Sequence, residues 1–222
     1  MNKHPFAVVA AVKTTLIMIC LSFLGCQSAY YNAMEKVGVH KRDILVDRVE
    51  EARDAQVEAK ETFKSALERF QTVLNVERTE LQDKYDAISD EYEAANESAG
   101  EVTDRIDAIE NVAEALFEEW QDELAQYSSR DLRVKSQRKL NDTKGKYQQL
   151  MRAMRRAEGK MQPVLSALKD QVLFLKHNLN AQAISSLKGE LSSIQGNVSV
   201  LIKEMEKSIA ESEAFIAQLE KS

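Results

Sequence analysis

Apolar residues recur at alternating steps of four and three positions through most of the chain after residue 40. The longest uninterrupted series contains Leu81, Tyr85, Ile88, Tyr92, Ala95, Ala99, Val102, Ile106, Ile109, Ala113, Leu116 and Trp120. A mean step of about 3.5 residues is typical of α-helices that wind around each other with this seam buried. The pattern therefore predicts long helices that pack against one another.

Three other stretches carry the same spacing. The first contains Leu45, Val49, Ala52, Gln56, Ala59, Phe63, Ala66 and Phe70. The third covers residues 140–161 and changes phase at Leu165. The fourth covers residues 187–205 and then drifts to its last members, Ile209, Ile216 and Leu219. Four such stripes predict an all-α fold, an elongated antiparallel four-helix bundle of the coiled-coil type, with residues 41–222 as a single domain.

Three breaks between helices are expected. Thr79 to Gln82 matches a capping box, which places the first break at Asn75–Arg78. The heptad phase nearly continues there, so one uninterrupted helix is the alternative. Ser128–Asp131 supplies capping side chains for the second break, and Asn178–Asn180 marks the third. The resulting up-and-down order places the second break at the same end of the bundle as the start of the first helix.

The second and third stretches carry opposite charge. Residues 77–126 contain 17 Asp and Glu against 3 Lys and Arg, a net −14, whereas residues 130–160 contain 11 Lys and Arg against 3 Asp and Glu, a net +8. Exposed ion pairs contribute only about 0.2–1 kcal/mol each, so their main effect is to select neighbouring helices. Because the acidic helix opposes the basic one and the whole chain has a net charge of −6, no nucleic-acid partner is expected.

Residues 1–25 have the layout of a bacterial secretory signal peptide. Lys3 and Lys13 precede an apolar run, Thr14–Leu24, which is followed closely by Cys26. The run is shorter than the ~20 residues that span a bilayer. Two alternatives stay open: a retained membrane anchor, and an ordinary signal peptide with a coincidental Cys.

The tetrapeptide Phe23-Leu24-Gly25-Cys26 resembles the lipobox of bacterial lipoproteins, in which a Cys follows a small residue and receives a lipid. The resemblance implies that Cys26 is acylated and holds the protein to a lipid bilayer, with residues 26–40 as a tether. Since the residue after the Cys is Gln27 and not Asp, the resemblance also favours the periplasmic face of the outer membrane. Each buried CH₂ of an acyl chain contributes about 0.8 kcal/mol to such anchoring.

Two further segments resemble an uncharacterised family of Gram-negative envelope proteins that is classed only as a domain of unknown function. They are YYNAMEKVGVHKRDILVD, residues 30–47, and LKHNLNA, residues 175–181. The resemblance covers the chain from about Tyr30 to its end. It implies a helical lipoprotein and carries no established activity, cofactor or catalytic residue.

A search for chemistry finds no phosphate-binding loop, EF-hand loop, G-x-S-x-G, H-E-x-x-H or C-x-x-C motif. His40 and His177 are the only histidines after the signal, and the predicted topology places them at opposite ends of the bundle. We therefore expect no catalytic residue, cofactor or metal site. Two polar clusters are candidate partner contacts, one before the first helix and one at the end of the third: His40, Lys41, Arg42, Lys176, His177 and Asn178.

These observations favour a membrane-tethered, non-enzymatic spacer or adaptor of the cell envelope, with an envelope protein as a possible partner. The alternative is a binding module that holds a small or lipidic ligand between helices near Pro163, whose ring should press on the carbonyl of Gly159 and kink the third helix. A continuous apolar cavity beside residues 159–168 would favour the alternative, and a solid core would favour the spacer. The oligomeric state is open.

Overall fold

The computed structural model describes residues 34, 38–73, 81–178 and 181–221. The helices of this part of the chain are α1 (Lys41–Val73), α2 (Leu81–Leu124), α3 (Arg130–His177) and α4 (Ala181–Glu220). The described residues contain no strand, so the predicted all-α class is confirmed. The proposed signal (1–25), Cys26 and the expected break at 75–78 lie outside the described residues.

The chain divides into two compact units, Met1–Ile44 and Leu45–Ser222. In the described part of the first unit, Gly38 has a φ of 88°, and the amide of Val39 donates to the carbonyl of Met34 at 3.1 Å. A positive φ favours glycine at such a reversal. The carbonyl of His40 then accepts from the amide of Ile44 at 3.1 Å, which starts α1.

Within the second unit, α1 and α2 are antiparallel. Arg105 Nη1 lies 3.0 Å from Glu51 Oε2, and Arg69 Nε lies 3.4 Å from Glu91 Oε1, so rising positions in α1 meet falling positions in α2. Glu51 and Arg105 are 54 positions apart, a separation that would place them about 80 Å apart in one straight helix. The chain therefore reverses between the two helices, and the alternative of one uninterrupted helix is wrong.

Helix α3 begins where the sequence predicts a cap. Ser129 is extended, and its hydroxyl accepts from the amide of Leu132 at 3.4 Å. Trp120 Nε1 donates to Ser136 Oγ at 2.8 Å across the turn. The helix then continues through Pro163 without a chain reversal, as expected.

Helices α3 and α4 are also antiparallel, and their register can be read from two contacts. Gln149 Nε2 donates to Glu211 Oε2 at 2.8 Å, and Arg156 Nε lies 3.7 Å from Glu204 Oε2. From the first pair to the second, the residue number rises by seven in α3, from 149 to 156, and falls by seven in α4, from 211 to 204. When this register is continued toward the start of α3 and the end of α4, Glu220 lies level with residue 140. The first ten residues of α3 therefore extend beyond the last turn of α4.

The buried positions follow the predicted stripes closely. All eight predicted members of the α1 stripe are at most 3% exposed. The buried part of the α2 stripe consists of Ile88, Ala95, Ala99, Val102, Ile106, Ile109, Ala113 and Leu116. The α3 stripe is buried from Leu140 to Leu175, with Tyr147 half-buried and the phase change at Leu165 as predicted. These side chains form the core of the bundle.

The predicted drift of the α4 stripe is wrong. Beyond Met205 the buried positions keep the steps of three and four: Ser208, Ser212, Phe215 and Leu219. Ile209 is only half-buried, although Ile216 is buried. The drift was inferred from apolar residues alone, whereas the regular heptad continues through two small hydroxyl side chains.

The four helices are not equally close to one another. The backbone of α3 approaches those of α2 and α4 to within 8 Å between Cα atoms at many points. Helix α1 shows only isolated approaches of this kind in the described residues. Its buried apolar stripe, which includes Phe63 and Phe70, packs on the bundle, and Lys60 lies 3.9 Å from Glu206 of α4.

Candidate functional site

The predicted contact cluster at the end of α3 is on the surface. Lys176 and His177 are exposed in the last turn, where cations interact favourably with the helix dipole. Asn178 caps the helix, because its side-chain amide donates to the carbonyl of Phe174 at 2.9 Å. Phe174 and the preceding Leu173 are among the large apolar side chains that are exposed. This end of α3 is therefore a polar cluster beside a small apolar patch.

The other predicted cluster, which precedes and opens α1, is less uniform. His40 is exposed, Lys41 is buried and Arg42 is half-buried. Both basic side chains already interact with other residues. Of the three, His40 is therefore the side chain most accessible to a partner.

The α2–α3 interface contains a charge centre that the sequence indicated only as a general attraction. Arg155 Nη2 lies 2.6 Å from Asp107 Oδ1 and 2.6 Å from Glu110 Oε2, and Nη1 lies 3.0 Å from Glu158 Oε2. The hydrogen bond to Glu110, opposed by partial burial, raises the pKa of Arg155 above its ordinary value. The opposite charges of the two helices could be seen in the sequence. Which basic residue meets the carboxylates of α2 depends on how the helices are aligned, so Arg155 could not be identified in advance.

Replacing Arg155 by Ala is expected to lower the free energy of unfolding by about 1 kcal/mol, since a partly exposed network of ion pairs contributes modestly. Arg152→Ala is the matched control, because Arg152 is exposed on the same helix and forms no ion pair with the described residues. Urea unfolding at low and high salt measures both. Equal losses in the two variants would contradict the assigned role of Arg155.

An open groove of about 620 Å³ lies on the same α2–α3 face. Phe117 and Tyr147 form its aromatic floor, with ring centroids 5.3 Å apart at 72°, and Lys144 Nζ lies 5.5 Å from the centroid of Phe117. Burial, with a smaller contribution from the charge of Glu110, raises the pKa of Tyr147 to about 12. The phenol is therefore neutral at physiological pH, and its ring packs against Phe117.

A second open groove, of about 550 Å³, lies near Pro163, between Gly100 of α2 and Gly159 of α3. A Cβ at either glycine would have no atom within 4 Å. Below this groove the core is filled by buried side chains, namely Met161, Val164, Leu165 and Leu168. The groove is thus a surface depression beside a packed core, with Arg155 and Glu158 on its rim.

A few core side chains are polar. Gln56 is 0% exposed, and neither of its amide atoms forms a hydrogen bond within the described structure. Ser208 Oγ is likewise buried without a hydrogen bond, whereas Ser212 Oγ donates to the carbonyl of Ser208 at 2.9 Å. Gln56, Ser208 and Ser212 are thus polar side chains within a mainly apolar core.

Over the described ranges, no helix combines the length and the apolar character needed to cross a membrane. The same ranges contain no group of three or more His, Cys, Asp or Glu side chains arranged to hold a metal ion.

Four antiparallel helices around a heptad-patterned core place this chain in the class of all-α helical-bundle proteins. Residues 30–219 match the family described as "Protein of unknown function (DUF2959)", and the chain belongs to that family. The extent of the match confirms the resemblance seen from Tyr30 onward. Comparisons with characterised proteins and with solved structures gave no significant match.

Proposed function

We propose that this protein is a lipid-anchored, non-catalytic helical protein of the periplasm that acts as a spacer or adaptor in the cell envelope. The sequence Gly25-Cys26 after a short apolar run is the observation that carries the proposal. An acyl group on Cys26 would hold the chain to the periplasmic face of the outer membrane.

The bundle offers a suitable body for such a spacer. Antiparallel pairing puts Leu45 and the α2–α3 turn at one end of the second unit, with Val73 and His177 at the other. The 48 residues of α3 correspond to about 70 Å of helix. The exposed cluster at the end of α3 therefore lies at the opposite end of that helix from the α2–α3 turn and would be available to an envelope protein partner.

The interior supports a structural role over an enzymatic one. The polar side chains buried in the described core of the second unit are Gln56, Thr143, Ser208 and Ser212, and none of them titrates near neutral pH. The acidic and basic groups lie mostly on the helix surfaces, where they pair or are solvated. This arrangement offers binding surfaces and does not assemble an acid–base pair.

Binding of a small or lipidic ligand near Pro163 is a second candidate, favoured by the open groove between Gly100 and Gly159. The filled core below the groove gives this candidate less support, because a lipid chain needs an apolar cavity.

Cys26→Ser is expected to abolish metabolic labelling with palmitate and to release the protein from the outer-membrane fraction, because only the Cys26 thiol follows the small residue of the lipobox. Cys20→Ser is the matched control, since Cys20 lies inside the apolar run and should not affect labelling. A Cys26→Ser protein that is still labelled and still fractionates with the outer membrane would refute the anchor.

A further inference from the structure

We propose that residues 127–139, here called the basic end segment, form a second contact with the membrane, at a surface of anionic phospholipids. This inference rests on the proposed lipid anchor for its orientation. In this arrangement the acyl group provides attachment, and the basic end segment holds the adjoining end of the bundle against the lipid headgroups.

The first observation is a short stretch of sequence that is rich in exposed apolar side chains. Tyr127 is 39% exposed, Leu132 is 53% exposed and Val134 is 41% exposed. They account for three of the seven large apolar side chains exposed in the described part of the chain, and they fall within eight consecutive residues. Their exposure follows from register, because the first ten residues of α3 extend beyond the end of α4 and have no α4 residues beside them.

The second observation is a set of basic side chains that form no ion pair with the described residues. Residues 130–139 contain five basic side chains and one acidic side chain, Asp131. None of the five lies within 4.0 Å of a carboxylate among the described residues, in contrast to Arg155 and Arg156 farther along α3. The basic members are Arg130, Arg133, Lys135, Arg138 and Lys139. Near the end of α2, Glu118, Glu119, Asp122 and Glu123 lie beside this part of α3, as the Trp120–Ser136 hydrogen bond shows. With Asp131 they equal the five basic side chains in number, so the positive charge is a property of the α3 surface alone.

Apolar side chains interspersed with Lys and Arg match the chemistry of a bilayer interface. Tyr and Leu lie at the level of the headgroups and upper acyl chains, while Arg and Lys extend toward the phosphates. Clusters of basic residues beside a membrane are drawn to the negative potential of anionic lipids. Phosphates are also good partners for the planar guanidinium of Arg.

The third observation is the position of the segment in the fold. Leu45 lies nearer to the α2–α3 turn than the end of α1 does, because α1 is antiparallel to α2. Leu45 is 19 positions after Cys26, and a fully extended chain of 19 steps reaches about 60–70 Å at most. A tether of this maximum length would allow the basic end segment to reach the membrane that holds an acylated Cys26.

The proposal is tested by measuring how the full chain with Cys26→Ser binds lipid vesicles. Because this protein cannot be acylated at residue 26, its binding does not depend on the proposed anchor. In this background, Arg133→Glu with Lys135→Glu is compared with Arg152→Glu with Lys160→Glu, an equal change of charge at exposed sites farther along α3. The background protein should bind vesicles of phosphatidylglycerol and phosphatidylcholine more tightly than vesicles of phosphatidylcholine alone. We expect the first pair of changes to weaken that binding about tenfold or more, and the second pair to weaken it less than about threefold.

Leu132→Ser should also weaken binding to the anionic vesicles, and circular dichroism should show that every variant keeps its helix content. Equal affinities of the two charge variants, or equal binding to the two kinds of vesicle, would overturn the proposal; that result is expected if residues 26–40 or a protein partner cover the segment instead. Any contribution of residues 1–25 is common to all samples. Palmitate labelling of Cys26 is measured separately, so the anchor and the basic end segment can each fail alone.

Discussion

Phe63→Ala is expected to lower the free energy of unfolding by about 3–5 kcal/mol, the usual cost of truncating a buried aromatic side chain. Phe63 is 0% exposed and lies in the middle of the α1 stripe. Its removal eliminates favourable burial and leaves a cavity that the surrounding helices fill only in part. Guanidinium unfolding followed by circular dichroism measures the change.

Phe174→Ala is the matched control for this prediction. Phe174 is 38% exposed near the end of α3, so the same chemical change should cost much less there, about 1 kcal/mol. A loss at Phe63 no larger than the loss at Phe174 would show that α1 is not packed on the bundle through this seam in solution.

Gln56→Leu is expected to stabilise the protein, unlike Phe63→Ala, and to raise the free energy of unfolding by about 1–3 kcal/mol. A buried amide without hydrogen bonds costs roughly this amount in proteins, and Leu has a similar volume with no polar atoms. Gln56 is fully buried, and both of its amide atoms lack partners in the described structure. Thermal and urea unfolding of the variant and of the unchanged protein provide the measurement.

Gln162→Leu, at an exposed position of α3, is the control and should change stability by no more than about 0.5 kcal/mol. A clear loss of stability in Gln56→Leu would contradict the prediction and would show that the amide is hydrogen-bonded in solution. Size-exclusion chromatography of the same protein is informative too, because a polar residue in a heptad core can fix register and the number of associating helices.

Much of the fold could be predicted because heptad spacing reports directly on burial. The stripe from Leu45 to Phe70 is buried at every predicted position, including Gln56. Ser129 caps α3 near the predicted place, since a hydroxyl at a helix start satisfies a free amide. Ser208 and Ser212 were missed because a small polar side chain can occupy a core position by fitting the space, which hydrophobicity alone does not report.

The features that matter for function were harder to predict because they depend on register. The sequence shows that α2 is acidic and α3 is basic, but it does not show that Arg155 meets Asp107 and Glu110 while Arg133 and Lys135 meet no carboxylate among the described residues. That distinction depends on which side chains of α2 face each basic residue of α3. Helix lengths accurate to one turn would be needed to anticipate it.

The wider backbone separation between α1 and the other helices has a mechanical consequence. In the lipid-anchored protein proposed above, tension on the anchor would pass along the chain to α1, the helix whose backbone makes only isolated close approaches to the others in the described residues. Helix α1 is therefore expected to separate first under load, as a local opening unit, while the more closely packed α2, α3 and α4 stay associated. A protein built in this way could yield at its tethered helix and recover without global unfolding.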